Sequence, residues 1–276
     1  MRRDRGFIIV AQNNSDTDYL LCAEVLARSI KRVMPDESVT LLTDVKSMEI
    51  STARADKYGT PYDVTYAVPF KEYANDTFKI ATDCQVYEFS PYERTIKLEA
   101  DMFIPLDISW WFEILKDRDL AIATTIRDHA NKVSKNRFYR KFIDANSLPD
   151  TYNAITYFKK SDTAKRFYDV VVDVFLNWNK YKEIYTLTDD ATTDEVYAIA
   201  ASIIGVEHAV MPTFTEMSMI HMKNFILGTE VEDWTTQLTY EVTVDNFKID
   251  TIPQLYPVHY HIKSLASVLH QELLDE

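Results

Sequence analysis

The chain has 276 residues, 46% of them hydrophobic and 26% charged, with a formal net charge of −13. That length supports one large α/β core, and the acidic balance excludes wrapping nucleic acid over a broad surface, because phosphate neutralisation needs a basic face. Only four glycines are present and neither G-x-G-x-x-G nor G-x-x-x-x-G-K-[ST] occurs, so any bound phosphate must be held by side chains or a metal.

The N-terminus is basic, but the apolar stretch over residues 7–11 is too short for a signal peptide or a membrane span, and a soluble, cytoplasmic protein is expected. Residues 6–11 read as a short buried strand, followed by polar Gln12-Asn13-Asn14. Residues 16–34 then carry apolar side chains at helical spacing until Pro35 ends the run. A second strand over 39–42 stops at Thr43-Asp44, and a third covers 64–68. Cys22 and Cys84 fall in segments read as helical and form no C-x-x-C pair, which argues against a zinc site or a disulfide framework.

The spacing predicts a helix over 79–89 and an apolar strand over 95–98. That strand delivers Glu99 and Asp101 to its C-terminal end. Residues two apart in a strand point to one side, and Ala100 lets the backbone approach a ligand, so both carboxylates can converge on one hard cation, Mg²⁺ or Mn²⁺. A strand that simply ends in an acidic loop gives the same triplet.

A short helix over 109–116 and a buried strand over 120–125 come next. The segment 127–142 holds Arg127, Lys132, Lys135, Arg137, Arg140 and Lys141 against Asp128, a local charge of +5 that leaves −18 for the rest. With Phe138, Tyr139 and Phe142 interleaved, it offers a contact for a nucleic-acid backbone and bases. A solvated amphipathic face explains the same pattern. Residues 152–158 read as a strand beginning near Asn153, and 161–178 as a long helix capped by Ser161 or Asp162. Thr192-Thr193-Asp194-Glu195 precede an apolar helix over 196–204, as capping residues or as carboxylates aimed at a ligand. Residues 239–249 alternate like one strand.

Near the end, His259 and His261 share one side of an expected short strand beside Lys263. A neutral imidazole can complete the coordination of a carboxylate-bound Mn²⁺, and an ammonium can neutralise a diphosphate. Strands alternating with helices imply an α/β fold, a mostly parallel sheet flanked by helices on both faces. Ligands bind such sheets at the carboxyl ends of strands, where Gln12, Asn13, Asp44 and residues 99–101 are expected. No linker or repeat divides the chain, so a single domain over 1–276 is expected, with a core over 1–210 and an extension over 211–276 folded back on the site.

The order of these segments resembles the GT-A fold nucleotide-sugar glycosyltransferases, in particular the glycogenin and bacterial galactosyltransferase group and related proteins of tailed phages, over most of the chain. The resemblance implies a Rossmann-like GT-A sheet, a nucleoside diphosphate sugar as donor, Mn²⁺ or Mg²⁺ as cofactor, and the host cytoplasm if the protein is phage-encoded. It assigns base and ribose binding to Ala11, Gln12, Asn13 and Tyr19, with Asp44 after the second strand. The family's D-x-D motif corresponds to Glu99-Ala100-Asp101, its asparagine-plus-small-residue strand to Asn153-Ala154, and its acidic helix start to Asp194-Glu195. The closing metal-binding His resembles His259 or His261, and the diphosphate-binding Lys resembles Lys263.

Two departures stand out. Glu99 replaces the first Asp and is longer by one methylene, and the ending is more compact than H-x-x-G-x-K-P-W, without its Gly and Trp. Asp194 or Glu195 would serve as general base in an inverting reaction, or hold the sugar in a retaining one. The phage resemblance makes hydroxymethylated DNA bases candidate acceptors, met by the segment 127–142. A saccharide or protein hydroxyl is the alternative acceptor. A non-catalytic nucleotide-binding protein and a metal-dependent phosphohydrolase are the competing classes.

Overall fold

The computed structural model describes residues 3–68, 83–136, 140–185, 187, 191–211, 216–243 and 246–274. In chain order the strands of the first half are β1 (Arg3–Val10), β2 (Val39–Thr43), β3 (Val64–Ala67), β4 (Tyr92–Glu99), β5 (Met102–Phe103), β6 (Leu120–Ala123) and β7 (Thr125–Arg127). They are followed by β8 (Tyr152–Lys159), β9 (Ser218–His221), β10 (Tyr240–Thr243), β11 (Asn246–Ile249), β12 (Ile252–Pro253) and β13 (Val258–His259). The longer helices are α1 (Tyr19–Val33), α2 (Val45–Tyr58), α3 (Asp162–Leu176), α4 (Thr193–Ile204) and α5 (Leu265–Leu274).

Six strands form the central sheet in the order β3-β2-β1-β4-β8-β6. The first four are parallel, while β8 runs antiparallel to both β4 and β6, so the sheet is mostly parallel with one reversed strand. Side chains alternate across it and separate two cores. Phe7 and Ile9 of β1, Leu41 of β2, and Ile96 and Leu98 of β4 face α1 and α5. Ile8, Leu42 and Phe158 face α3 and α4 on the other side. Gly6 fits where β1 and β4 meet because a Cβ there would lie 2.3 Å from the Tyr92 ring and 2.8 Å from the Ser38 carbonyl oxygen.

Helix ends follow local chemistry. Asp18 caps α1 by accepting from the Leu21 amide, Ser161 caps α3 through the Ala164 amide, and Thr192 caps α4 through the Glu195 amide. Lys31 and Arg32 occupy the last turn of α1, where cations meet the negative end of the helix dipole.

Several expectations change. Helix α2, between Asp44 and Gly59, was not expected; among its residues only Ser47 is buried, so it carries no apolar periodicity to read. The expected helix over 79–89 lies partly outside the described residues, and its described part is one turn, Val86–Phe89. The strand expected over 120–125 divides into β6 and β7, which belong to different sheets. The strand expected over 239–249 is instead an antiparallel pair, β10 and β11, with Val242 opposite Phe247. No described helix is long and apolar enough to cross a membrane.

A second sheet, in the order β5-β13-β9-β7, lies at the end of β4. Strand β13 pairs antiparallel with β5, setting His259 opposite Met102, and parallel with β9, setting His259 beside His221. Thus residues far apart in the chain meet the acidic triplet through backbone pairing.

Candidate functional site

The parallel pairing of β1 and β4 aligns Val10 with Glu99, so both strands finish at the same level. Because β8 is antiparallel to β4, with Leu98 opposite Ile155, the start of β8 comes to the same edge. A cavity of about 550 Å³ opens there, within the range of small-molecule sites. One wall is Val10, Ala11, Gln12 and Tyr19, and another is Tyr152, Asn153, Ala154 and Asp194. Glu99, Ala100, Asp101, His221, His259, His261 and Lys263 also line it.

Strand β4 ends at Glu99, and Ala100 and Asp101 form a turn before β5. The carboxylates therefore converge through a turn, not through continued strand alternation. His259 joins them: its Nε2 lies 3.1 Å from Asp101 and 3.4 Å from Glu99. The three ligand atoms lie within 4.8 Å of one another, and two hard oxygens with one imidazole are a donor set that fits Mn²⁺. Lys263 donates to Asp101. The backbone amide of Tyr260 donates to the Asp101 carbonyl at 3.2 Å, tying this corner to the acidic turn.

Charge is divided unevenly. Burial pushes the Glu99 carboxyl up despite nearby His259 and Lys97. Burial would also raise Asp101, but His259 and Lys263 outweigh it and hold Asp101 well below the usual carboxylate range. Lys263 loses hydration, yet Asp101 raises its pKa, so the ammonium persists at neutral pH. For His221 and His261, burial and then His259 push the pKa values well below the usual imidazole range, leaving both neutral at pH 7.

Both expected histidines reach the site, but not on one strand face. Strand β13 ends at His259, and His261 adopts the left-handed region at φ 59°. His221 is the site residue that the sequence reading did not single out as a ligand. Its Nδ1 lies 3.2 Å from Nε2 of His261. Nothing local marks it as a ligand; its partners depend on strand pairing.

The wall formed by the start of β8 is braced. The Asn153 amide nitrogen donates to Asp83 at 3.2 Å, which fixes the side chain, while its Oδ1 is buried without a hydrogen-bond partner. Asp194 accepts from the Asn153 backbone amide and from Arg140 Nη1, each at 2.9 Å.

Other expected residues have different contacts. Gln12 lines the cavity and donates to Asp44 at 3.0 Å, but Asp44 itself caps α2 through the Ser47 amide. Asn13 accepts from the Leu20 amide and donates to Asp18, outside the cavity wall. Glu195 also lies outside it: its backbone amide donates to the N-cap Thr192, whose hydroxyl donates to the Glu195 carboxylate at 2.8 Å.

The basic segment is only partly available to solvent. Arg140 is 3% exposed and bonds Asp150, Asp194 and the Thr151 carbonyl, which corrects its expected role as a phosphate contact. Arg127 bonds Ser218 and the Asn131 carbonyl and lies 4.0 Å over the Tyr256 ring. Lys132, Lys135 and Lys141 are exposed, and Arg137 lies outside the described residues. Cys22 and Cys84 are buried free thiols.

No family model matches the sequence, and no curated protein matches it. Solved structures do resemble the fold. The glycosyltransferase GlyE of Streptococcus pneumoniae TIGR4 is 11% identical with a TM-score of 0.56, covering 99% of this chain and 62% of its own. This chain therefore spans less than two thirds of that protein. The galactosyltransferase LgtC, solved in complex with donor and acceptor sugar analogs, is also 11% identical at a TM-score of 0.56, with 96% and 95% covered. Mouse xyloside xylosyltransferase 1 is 13% identical at 0.51, covering 75% of this chain and 84% of its own. These likenesses establish the GT-A fold.

Proposed function

We propose that this chain, whose fold is that of the GT-A glycosyltransferases, transfers a glycosyl group from a nucleoside diphosphate sugar to a hydroxyl acceptor, as one catalytic unit over residues 1–276. The observation that carries the reading is the convergence of Glu99, Asp101, His259 and Lys263 on one side of the cavity. LgtC, the neighbour solved with donor and acceptor sugar analogs, supports it.

Glu99, Asp101 and His259 would hold Mn²⁺ or Mg²⁺, which supplies positive charge against the leaving diphosphate when bound. Lys263 brings a second positive charge to the same side. Charge grows on the diphosphate as the glycosidic bond breaks, so the ammonium stabilises the transition state more than the bound donor. Ala11, Gln12 and Tyr19 would receive the nucleoside. Asn153, with an unpartnered buried Oδ1, offers an acceptor to a sugar hydroxyl. Asp194 is already bound by Arg140 and the Asn153 amide, which suits a residue that orients the sugar through fixed geometry better than a free general base.

A saccharide or other small hydroxyl compound fits the cavity as acceptor. Hydroxymethylated DNA is the second acceptor reading, favoured by exposed Lys132, Lys135 and Lys141. The test is nucleoside diphosphate release from a panel of nucleotide sugars with Mn²⁺, Mg²⁺ or chelator, with and without hydroxymethylcytosine DNA. Metal-dependent transfer lost in Asp101→Ala supports the reading. Stimulation by the DNA, abolished by high salt, assigns that acceptor. Nucleotide binding without turnover of any donor indicates a binding protein, and release of diphosphate with free sugar alone indicates a hydrolase.

A further inference from the structure

His221, His259 and His261 form a second ligand group that contains no carboxylate, and their ligand atoms also lie within 4.8 Å of one another. Ring centroids are 5.3 Å apart for His221 and His259, 4.6 Å for His221 and His261, and 3.8 Å for His259 and His261. Alternate residues of a continuing strand would sit roughly 7 Å apart. The left-handed backbone at His261, with φ 59°, breaks that spacing and accompanies the closer approach of its ring to His259. A non-glycine residue in that region is strained, and functional sites often carry such strain.

The nitrogen chemistry points the same way. Nε2 of His259 faces two carboxylates, which leaves Nδ1 as the ring nitrogen they do not engage. That Nδ1 is buried without a hydrogen-bond partner, and His259 is 5% exposed. Nε2 of His261 and Nδ1 of His221 are 3.2 Å apart. Two nitrogens bound at 2.0–2.1 Å to one tetrahedral ion are separated by roughly 3.3 Å, so this edge already matches a shared ion.

We propose that His221, His259 and His261 hold a second metal ion, distinct from the ion of the carboxylate centre, that His259 bridges the two through its two ring nitrogens as an imidazolate whose proton is released to solvent, and that this second ion is a borderline transition metal such as Zn²⁺. Three imidazoles suit Zn²⁺ or Co²⁺, whereas Mg²⁺ and Ca²⁺ select oxygen. All three residues line the cavity, so a fourth position is available to water or to a ligand entering there.

The test is Co²⁺ titration of the metal-stripped full chain, read by visible absorption, with Zn²⁺ equilibrium dialysis alongside. Glu99→Gln with Asp101→Asn removes the carboxylate centre. That double variant is expected to bind one Co²⁺ with a tetrahedral, nitrogen-rich spectrum, and adding His261→Ala is expected to weaken binding by at least tenfold. His221→Asn is a second removal, and thermal melting of each variant checks that the fold is retained. Co²⁺ binding that disappears with the carboxylates, or that is unchanged by both histidine substitutions, overturns the proposal. No donor turnover enters these readouts, so failure of the transferase reading leaves the outcome intact.

Discussion

Arg140 Nη1 donates to the Asp194 carboxylate at 2.9 Å, joining a residue from the basic segment to the first turn of α4. The same guanidinium bonds Asp150 at 2.7 Å and stacks 4.2 Å over Tyr152. Arg140→Ala would leave two carboxylates and the Thr151 carbonyl short of a donor, and is expected to cost about 3 kcal/mol. Arg140→Lys should recover only part of that, since an ammonium cannot reproduce the planar fork. Urea denaturation measures both. A wild-type midpoint for Arg140→Ala would contradict the bracing role.

Arg140 shows why some of this molecule is illegible before folding: a cation in a basic run has the same local signature whether solvated or clamped. Strands β1 and β4 are legible because apolar runs end in polar turns, and α1 and α3 because their apolar faces repeat at helical spacing. Helix α2 is not, because it buries almost nothing. Glu99 and Asp101 announce themselves by their position after an apolar strand. His221 becomes their neighbour only because β9 pairs with β13, a fact of register that composition does not carry.

Lys97 tests the buried network behind the site. It lies between Ile96 and Leu98, is 1% exposed, and places Nζ 2.8 Å from Asp83. Asp83 also accepts from Asn153 and, at 3.0 Å, from the Tyr197 hydroxyl. Lys97→Met leaves a buried carboxylate without its cation and is expected to cost about 3–5 kcal/mol. Adding Asp83→Asn should recover part of the loss, which a double-mutant cycle by chemical denaturation would read as coupling. Additive losses would mean the pair is not a unit.

Asp63 gives the pH dependence. Burial would raise its pKa, but Lys31 at 2.7 Å, the Val39 amide at 2.9 Å and nearby Arg3 lower it. A carboxyl depressed in the folded state contributes fully above its unfolded value of about 3.9, and the contribution disappears as pH falls through the folded value. Asp63→Asn should therefore lower stability by about 1 kcal/mol at pH 7, with the gap closing below about pH 4. Urea midpoints at pH 7 and pH 3 decide it; an equal gap at both would show that the charge is not responsible.

Lys263 separates the proposed chemistry from simple binding. Its ammonium pairs with Asp101 and lies 5.6 Å from the Tyr19 ring centroid, between the acidic turn and the wall assigned to the nucleoside. Removing it takes a cation from buried Asp101, so a thermal melt of each variant accompanies the kinetics. In the proposed transfer the cation acts chiefly on charge that develops as the diphosphate departs, which weights its contribution toward the transition state. Lys263→Ala is thus expected to lower kcat by about 10²–10³, with a smaller change in donor KM. Lys263→Arg restores charge but alters its geometry, and should fall between the two. A raised KM with wild-type kcat would assign Lys263 to uniform donor binding, and place stabilisation of the leaving diphosphate on other groups.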